Sequence, residues 1–256
     1  MSNFYHKKSL GQNFLRNKKL LEKISKIKKL KNEYVIEIGP GSGALTEFIL
    51  RENPKILTVI EKDEDLKSTL NKFKQKYPEN FNLIFSDALT FDISTLTKKK
   101  IILIGNLPYN IATTLIIDWM RNYKTFKALV VMVQKEVAQR LYAKAGTKFY
   151  GRTSVLVQAN ATVEEKFEVT ANNFFPKPKV NSSVIEIIPF KKDFNYESLD
   201  KILKISFLHR RKILKNNLKN LNIDTKKIQA NGINLSSRPQ DLTPNDYIKL
   251  SQILFC

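Results

Sequence analysis

Between residues 34 and 188 the chain repeats one pattern, a short apolar run, then a polar stretch, then apolar residues at helical spacing. The runs are Tyr34–Ile38, Ile56–Ile60, Asn82–Phe85, Ile101–Ile104 and Ala128–Val133. Two more are expected at 163–169 and 183–188, the second after a proline-rich turn. Most are apolar throughout instead of alternating, as strands buried on both faces are. Helical spacing appears between them at Leu45, Phe48 and Ile49, and again at Leu115, Ile116, Trp119 and Met120. Strands that alternate with helices predict an α/β fold with a mostly parallel sheet covered on both faces. Ahead of it, residues 18–30 predict an amphipathic helix with Leu20, Leu21, Ile24 and Ile27 on one face, preceded by an irregular basic arm, 1–17. After Pro189 no strand pattern continues. Leu199, Ile202 and Leu203, then Leu214, Leu218 and Leu221, then Tyr247, Leu250 and Leu254 keep helical spacing. The expected organisation is an α/β domain over 1–190 and a small helical domain over 191–256.

Composition narrows the class. A hydrophobic fraction of 42% over 256 residues suffices for a sizeable core and excludes disorder of the whole chain. The longest purely apolar run, Ala128–Val133, falls far short of a membrane span, and the N-terminus lacks the apolar stretch of a signal peptide. The one cysteine, Cys256, excludes an intrachain disulfide and a cysteine-rich metal site. A cytoplasmic enzyme or binding protein without membrane association is expected. Charge adds a partner. Lys and Arg number 44 against 24 Asp and Glu, a net charge of +20. The excess sits at the ends: residues 1–34 carry ten basic and two acidic side chains, residues 191–256 thirteen and six. Clustered positive charge suits a polyanion, nucleic acid first among them. Bias toward Lys, Asn and Ile in the genome is the bland alternative.

Two constellations carry chemistry. The motif from Glu37 through Gly39 and Gly41 to Gly43 closes the first predicted strand and precedes a helix. Glycines there allow a tight turn and close approach of a ligand to the backbone. Glu61 ends the second strand, 22 residues after Gly39, where a carboxylate accepts from both ribose hydroxyls of a nucleoside. Asp87 follows the third strand and suits an adenine amino group. The segment Gly39–Ala44 also satisfies the loose dinucleotide pattern. Glycines at i, i+2 and i+4 together with Asp87 favour S-adenosylmethionine, which has no pyrophosphate. The second constellation is Asn106, Leu107, Pro108 and Tyr109, at the end of the fourth strand. Ligands of open α/β sheets lie beyond the carboxyl ends of strands. There the Asn106 amide oxygen and the Leu107 carbonyl, held by Pro108, form a pair of acceptors for an exocyclic amino group. Tyr109 offers a face to a flipped base.

With these residues in place, the chain resembles the KsgA family of ribosomal small-subunit RNA adenine dimethyltransferases over nearly its full length. The stretches that match are Lys8–Leu15, Glu37–Gly43, Asn106–Ala112, Gln134–Val137, Tyr150–Arg152, Phe174–Val180 and Phe207–Lys212. The resemblance implies a Rossmann-like class I methyltransferase sheet with a small C-terminal helical, RNA-binding domain. It implies cofactor contacts at Asn13, Leu15, Gly39, Glu61, Asp87 and Asn106. It assigns Phe174 to the far side of the target base from Tyr109, a role not expected of Phe175. RNA contacts are expected from Arg210, Arg211 and Lys212. The implied reaction is S-adenosylmethionine-dependent N6,N6-dimethylation of two adjacent adenines near the 3′ end of 16S ribosomal RNA, in a partly assembled 30S particle, by a monomer.

No metal site and no Ser/His/Asp set is visible, since His6 and His209 lie in basic segments. Catalysis is then expected to rest on orientation and electrostatic complementarity. The nearest alternative is an Erm-type large-subunit RNA adenine methyltransferase, which confers macrolide resistance. A DNA adenine methyltransferase lacks support, because no added recognition domain is visible. From another class comes a non-catalytic ribosome-assembly factor.

Overall fold

A computed structural model describes residues 13–221 and 223–255. The basic arm up to Gln12, with His6, and the terminal Cys256 lie outside the described residues.

The described chain divides into two compact units, 1–138 with 164–189, and 139–163 with 190–256. The sequence reading placed the whole of 1–190 in one domain. Segment 139–163 instead belongs with the C-terminal helices.

The first unit is built on a seven-stranded sheet in the order β4-β3-β2-β5-β6-β9-β7. Its strands are β2 (Tyr34–Ile38), β3 (Ile56–Glu61), β4 (Phe81–Phe85), β5 (Ile101–Asn106), β6 (Phe126–Gln134), β7 (Ala161–Val169) and β9 (Ser182–Pro189). β2 pairs in parallel with β3 and β5, β3 with β4, and β5 with β6, whereas β9 runs antiparallel to β6. Chain order reverses where β2 lies beside β5. In a doubly wound sheet that reversal opens a crevice at the strands' carboxyl ends. Val35, Ile36 and Ile38 of β2 and Ile101–Ile104 of β5 are buried, as central strands covered on both faces must be.

Helix α1 (Lys18–Ser25) starts at Asn17, whose side chain accepts from the amides of Lys19 and Leu20. It buries Leu21 and Ile24 in the same cluster as Leu45, Phe48 and Ile49 of α2 (Ala44–Arg51). Helix α3 (Lys67–Lys76) packs Phe73 against the same cluster and brings it within 5.9 Å of Phe81, ring centre to ring centre. Helix α4 (Ala112–Arg121) buries Leu115, Ile116, Trp119 and Met120, the four residues whose spacing predicted it.

Two short strands form a separate pair. β1 (Phe14–Leu15) lies antiparallel to β8 (Phe174–Phe175), with Phe14 opposite Phe175 and Leu15 opposite Phe174. The end of the arm that the sequence reading left irregular is therefore anchored here. Arg16 donates its amide to the Asn173 carbonyl at 3.0 Å, and Asn17 donates its side-chain amide to Asn173 Oδ1 at 2.9 Å.

The second unit is helical, with α6 (Arg152–Gln158), α7 (Tyr196–Ser206), α8 (Leu214–Asn217), α9 (Thr225–Ala230) and α10 (Pro244–Phe255). Helix α5 (Lys135–Tyr142) leads into it from the first unit. Its buried tyrosines hand their hydroxyls to backbone carbonyls, Tyr150 to Leu242 at 2.9 Å and Tyr247 to Pro239 at 2.7 Å. Arg152 pairs with Asp200.

Candidate active site

The carboxyl ends of β2, β3 and β5 open onto one pocket in the first unit. Asn13, Leu15, Gly39, Glu61, Asp87 and Asn106 all line it, as do Leu107, Pro108 and Tyr109. Nine of the positions singled out in the sequence thus meet around one cavity. Arg210, Arg211 and Lys212 belong to the second unit and are exposed.

The glycine loop is shaped by backbone geometry that other residues rarely adopt. Gly39, Gly41 and Gly43 have φ of 65°, 57° and 82°, in the left-handed region. A Cβ on Gly41 would stand 2.6 Å from the Phe14 ring, and one on Gly43 would stand 2.3 Å from Phe73. The loop therefore lies bare against its neighbours, with Gly43 as the residue from which α2 departs.

Glu61 stands at the end of β3 and is 6% exposed. Its Oε1 accepts from the amides of Lys62 and Asp63 at 2.8 and 2.9 Å, and its Oε2 accepts from Gly41 at 3.1 Å. Burial pushes its carboxyl up from the ordinary value, and the three amides act the other way. Oε2 takes one bond only, which leaves it capacity for a ligand hydroxyl. Asp87 accepts from Lys62 Nζ at 2.8 Å and from the Leu89 amide at 3.0 Å, and the Lys62 bond holds its carboxyl below the ordinary value. Each Asp87 oxygen takes one of these bonds and keeps capacity to accept from an adenine amino group. Glycine backbone, a carboxylate for a ribose and an acceptor for an amino group fit a nucleoside cofactor.

Asn106 closes β5. Its Nδ2 donates to the Asn13 carbonyl at 2.8 Å, which directs Oδ1 the other way as an acceptor. The Pro108 carbonyl is taken by the amides of Ile111 and Ala112 at the start of α4. Among the described residues no backbone amide bonds to the Leu107 carbonyl, and the Leu107 amide is fixed to the Met132 carbonyl at 3.1 Å. Gly105 lets this strand close up, because a Cβ there would lie 2.9 Å from the Ile38 carbonyl. Tyr109 is half-buried, and its hydroxyl shares a 2.7 Å hydrogen bond with Ser182, which orients the ring. Burial raises its phenol above the ordinary value.

Phe174 requires a correction. It is 5% exposed and belongs to the core cluster with Leu15 and Val184, and it does not line the pocket. Side chains alternate across a strand, so the pairing that puts Leu15 in the core puts Phe174 there too. The core reading of this aromatic is the one the structure bears out.

Glu37, at the start of the glycine motif, lines the same pocket. It is 1% exposed, accepts from Thr46 Oγ1 at 2.6 Å, and burial pushes its carboxyl up to about 8, with Glu61 adding to the shift. The available signal was a single carboxyl inside the apolar run Val35–Ile38.

The chain matches the family model described as ribosomal RNA adenine dimethylase over residues 3–255. It is 40% identical over 251 residues to Ribosomal RNA small subunit methyltransferase A of Pelagibacter ubique (strain HTCC1062), with 95% of each chain covered. It is 39% identical over 258 residues to the protein of the same name from Wolbachia sp. subsp. Drosophila simulans (strain wRi), covering 98% of this chain and 95% of that one. Among solved structures it is similar to a dimethyladenosine transferase from Plasmodium falciparum, with a TM-score of 0.82, 27% identity, and coverage of 95% of this chain and 100% of that one. The 23S rRNA methyltransferase ErmE shares the fold, with a TM-score of 0.72 at 23% identity over 94% of this chain and 99% of that one.

Proposed function

The chain belongs to the ribosomal RNA adenine dimethylase family, and from that premise we propose that its pocket carries S-adenosylmethionine-dependent N6,N6-dimethylation of two adjacent adenines near the 3′ end of 16S ribosomal RNA. Relatives 38 to 40% identical bear the small-subunit name, which favours that RNA over the large-subunit alternative. The chain acts as a monomer in the cytoplasm, on a partly assembled 30S particle. The first unit supplies the methyltransferase part and the second unit, 139–163 with 190–256, helps to hold RNA.

S-adenosylmethionine, when bound, supplies a methyl group made electrophilic by the sulfonium. The chain's own residues do the rest. The glycine loop and Glu61 hold the nucleoside, and Asp87 accepts from the amino group of its base. Asn106 Oδ1 and the Leu107 carbonyl accept the two hydrogens of the target N6. That grip favours a pyramidal nitrogen with its lone pair aimed at the methyl, which is catalysis by orientation and electrostatic complementarity. Tyr109 stacks on the target base. After the first methyl is added one hydrogen remains to be held, so the amine is still oriented for the second. The methylated ammonium is acidic, so no dedicated general base is required.

The observation that carries this reading is the Asn106 amide. Its nitrogen donates to the Asn13 carbonyl, which turns its oxygen the other way, and Leu107 and Tyr109 line the same pocket. The test is mass spectrometry of digested RNA after incubation with small-subunit particles that lack the modification, with large-subunit particles, and with a short oligonucleotide. Dimethyladenosine in the small-subunit RNA, and little in the other two, is the expected result. Product confined to large-subunit RNA, or a reaction that stops at monomethyladenosine, overturns it.

A further inference from the structure

We propose that Phe175, with Arg16 laid over it, is a stacking platform for an unpaired RNA base flanking the target adenine; this rests on the RNA-methylating reading above. Two adjacent phenylalanines close the same short strand, and the pairing with β1 sends them to opposite faces. Leu15 and Phe174 share the core face. Phe14 and Phe175 stand opposite one another on the other face, and Phe14 lines the pocket. Phe175 thus shares its face of the ribbon with Phe14, and it is 48% exposed. The residue before β1 links it to the reacting corner, since the Asn13 carbonyl accepts from the Asn106 side chain.

The charge around Phe175 specifies the occupant. The Arg16 guanidinium lies 3.9 Å from the centre of the Phe175 ring. Arg16, Lys18, Lys19, Lys177 and Lys179 are all exposed, and none forms an ion pair among the described residues. An exposed aromatic ring among unneutralised cations suits a ligand that joins flat faces to phosphates. Single-stranded nucleic acid has that chemistry, with bases stacking on rings and on guanidinium planes while lysines track the backbone. A protein partner would have to bring a dense acidic patch to the same place, and a paired duplex would present no free base face.

Phe175→Trp provides a reporter, because the chain's one native tryptophan, Trp119, is buried. Emission from this variant should be quenched by an unpaired RNA of about eight nucleotides and hardly at all by a duplex of equal length. On small-subunit particles lacking the modification, Phe175→Ala should raise KM between about 5-fold and about 150-fold, the range for loss of one stacked base. Its kcat and its calorimetric affinity for S-adenosylmethionine should stay within about twofold, and Phe175→Tyr should restore KM. No quenching, or a KM for Phe175→Ala within about twofold of the parent, overturns the platform. So does a loss of cofactor affinity matching the loss of rate, which would make Phe175 part of the pocket frame. If the parent protein methylates no small-subunit particle, the reading of its substrate fails, and quenching still decides the platform.

Discussion

Glu37 is a carboxyl in the wall of the pocket with almost no access to water, and its titration couples the pocket to the stability of the fold. Burial raises it to about 8 from 4.5, so the folded chain keeps a proton that the unfolded chain releases. Between those two values the native state binds more protons, and unfolding free energy falls as pH rises, with the loss complete above the folded value. Replacing Glu37 with Gln removes this loss while leaving an acceptor for Thr46. Urea unfolding at several pH values should show the variant gaining on the parent from about pH 5 to about pH 8, by a few kcal/mol in total. Glu61, shifted the same way, keeps part of the slope in both proteins. A constant difference across that range would mean that Glu37 is ionised in the fold. At this scale, residues whose position follows from strand order were legible: Glu61, Asp87 and Asn106 lie at or just past the ends of consecutive parallel strands, and the topology gathers strand ends. Phe174 and Phe175 were not. Which ring faces the core is fixed by pairing with Leu15 and Phe14, some 160 residues earlier, and no local pattern encodes that register.

The elements follow a similar division. Strands that are apolar throughout were visible because burial on both faces leaves no polar positions to confuse the period. Helix α1 was expected to run to residue 30 and ends at Ser25. The Ser25 hydroxyl turns back to the Glu22 carbonyl, and the Ile27 amide bonds to Ile24 in a tighter turn, while Leu30 stays buried. The apolar face outlasts the helix, so spacing alone overruns its end. The pair of β1 and β8 escaped because two-residue strands have no period. The glycine loop is where element and site meet. Gly43 starts α2 at φ 82° and lies where a Cβ would meet the Phe73 ring at 2.3 Å. Gly43→Ala should lose about 1–2 kcal/mol for the left-handed backbone and more for the ring it displaces. In a Phe73→Ala background the ring contribution should disappear and the backbone cost should remain. Denaturant unfolding of the four proteins in this cycle measures both. A cost that vanishes altogether without Phe73 would show that the backbone at Gly43 is not strained for alanine.

Across the molecule, charge is the property the sequence announced most directly, and what the fold adds is how each basic side chain is used. The stretch Phe207–Lys212 was expected to provide three equivalent RNA contacts. Arg210 donates to the carbonyls of Thr147 and Lys148 at 3.2 and 2.6 Å, both within the second unit. Arg211 and Lys212 are exposed and have no ion-pair partner among the described residues. A guanidinium already bonded to two carbonyls is held in place and has fewer donors left for a phosphate, whereas the other two keep all of theirs. RNA binding by a chain with this net charge releases counterions, so log K falls with log salt in proportion to the phosphates neutralised. Arg211→Ala and Lys212→Ala should each reduce the magnitude of that slope by about 0.7–0.9. Arg210→Ala should change the slope less and instead lower thermal stability, through the freed carbonyls of the turn at 147–148. Binding to small-subunit RNA titrated between about 50 and about 200 mM salt, beside a melting curve for each variant, separates the two kinds of residue. Equal slopes for all three variants would return Arg210 to the RNA and make its bonds to the turn incidental. An unchanged slope in the Arg211 and Lys212 variants would make this cluster a solvated face, and the salt dependence would then have to come from the basic residues of the first unit, among them Lys18, Lys19, Lys177 and Lys179.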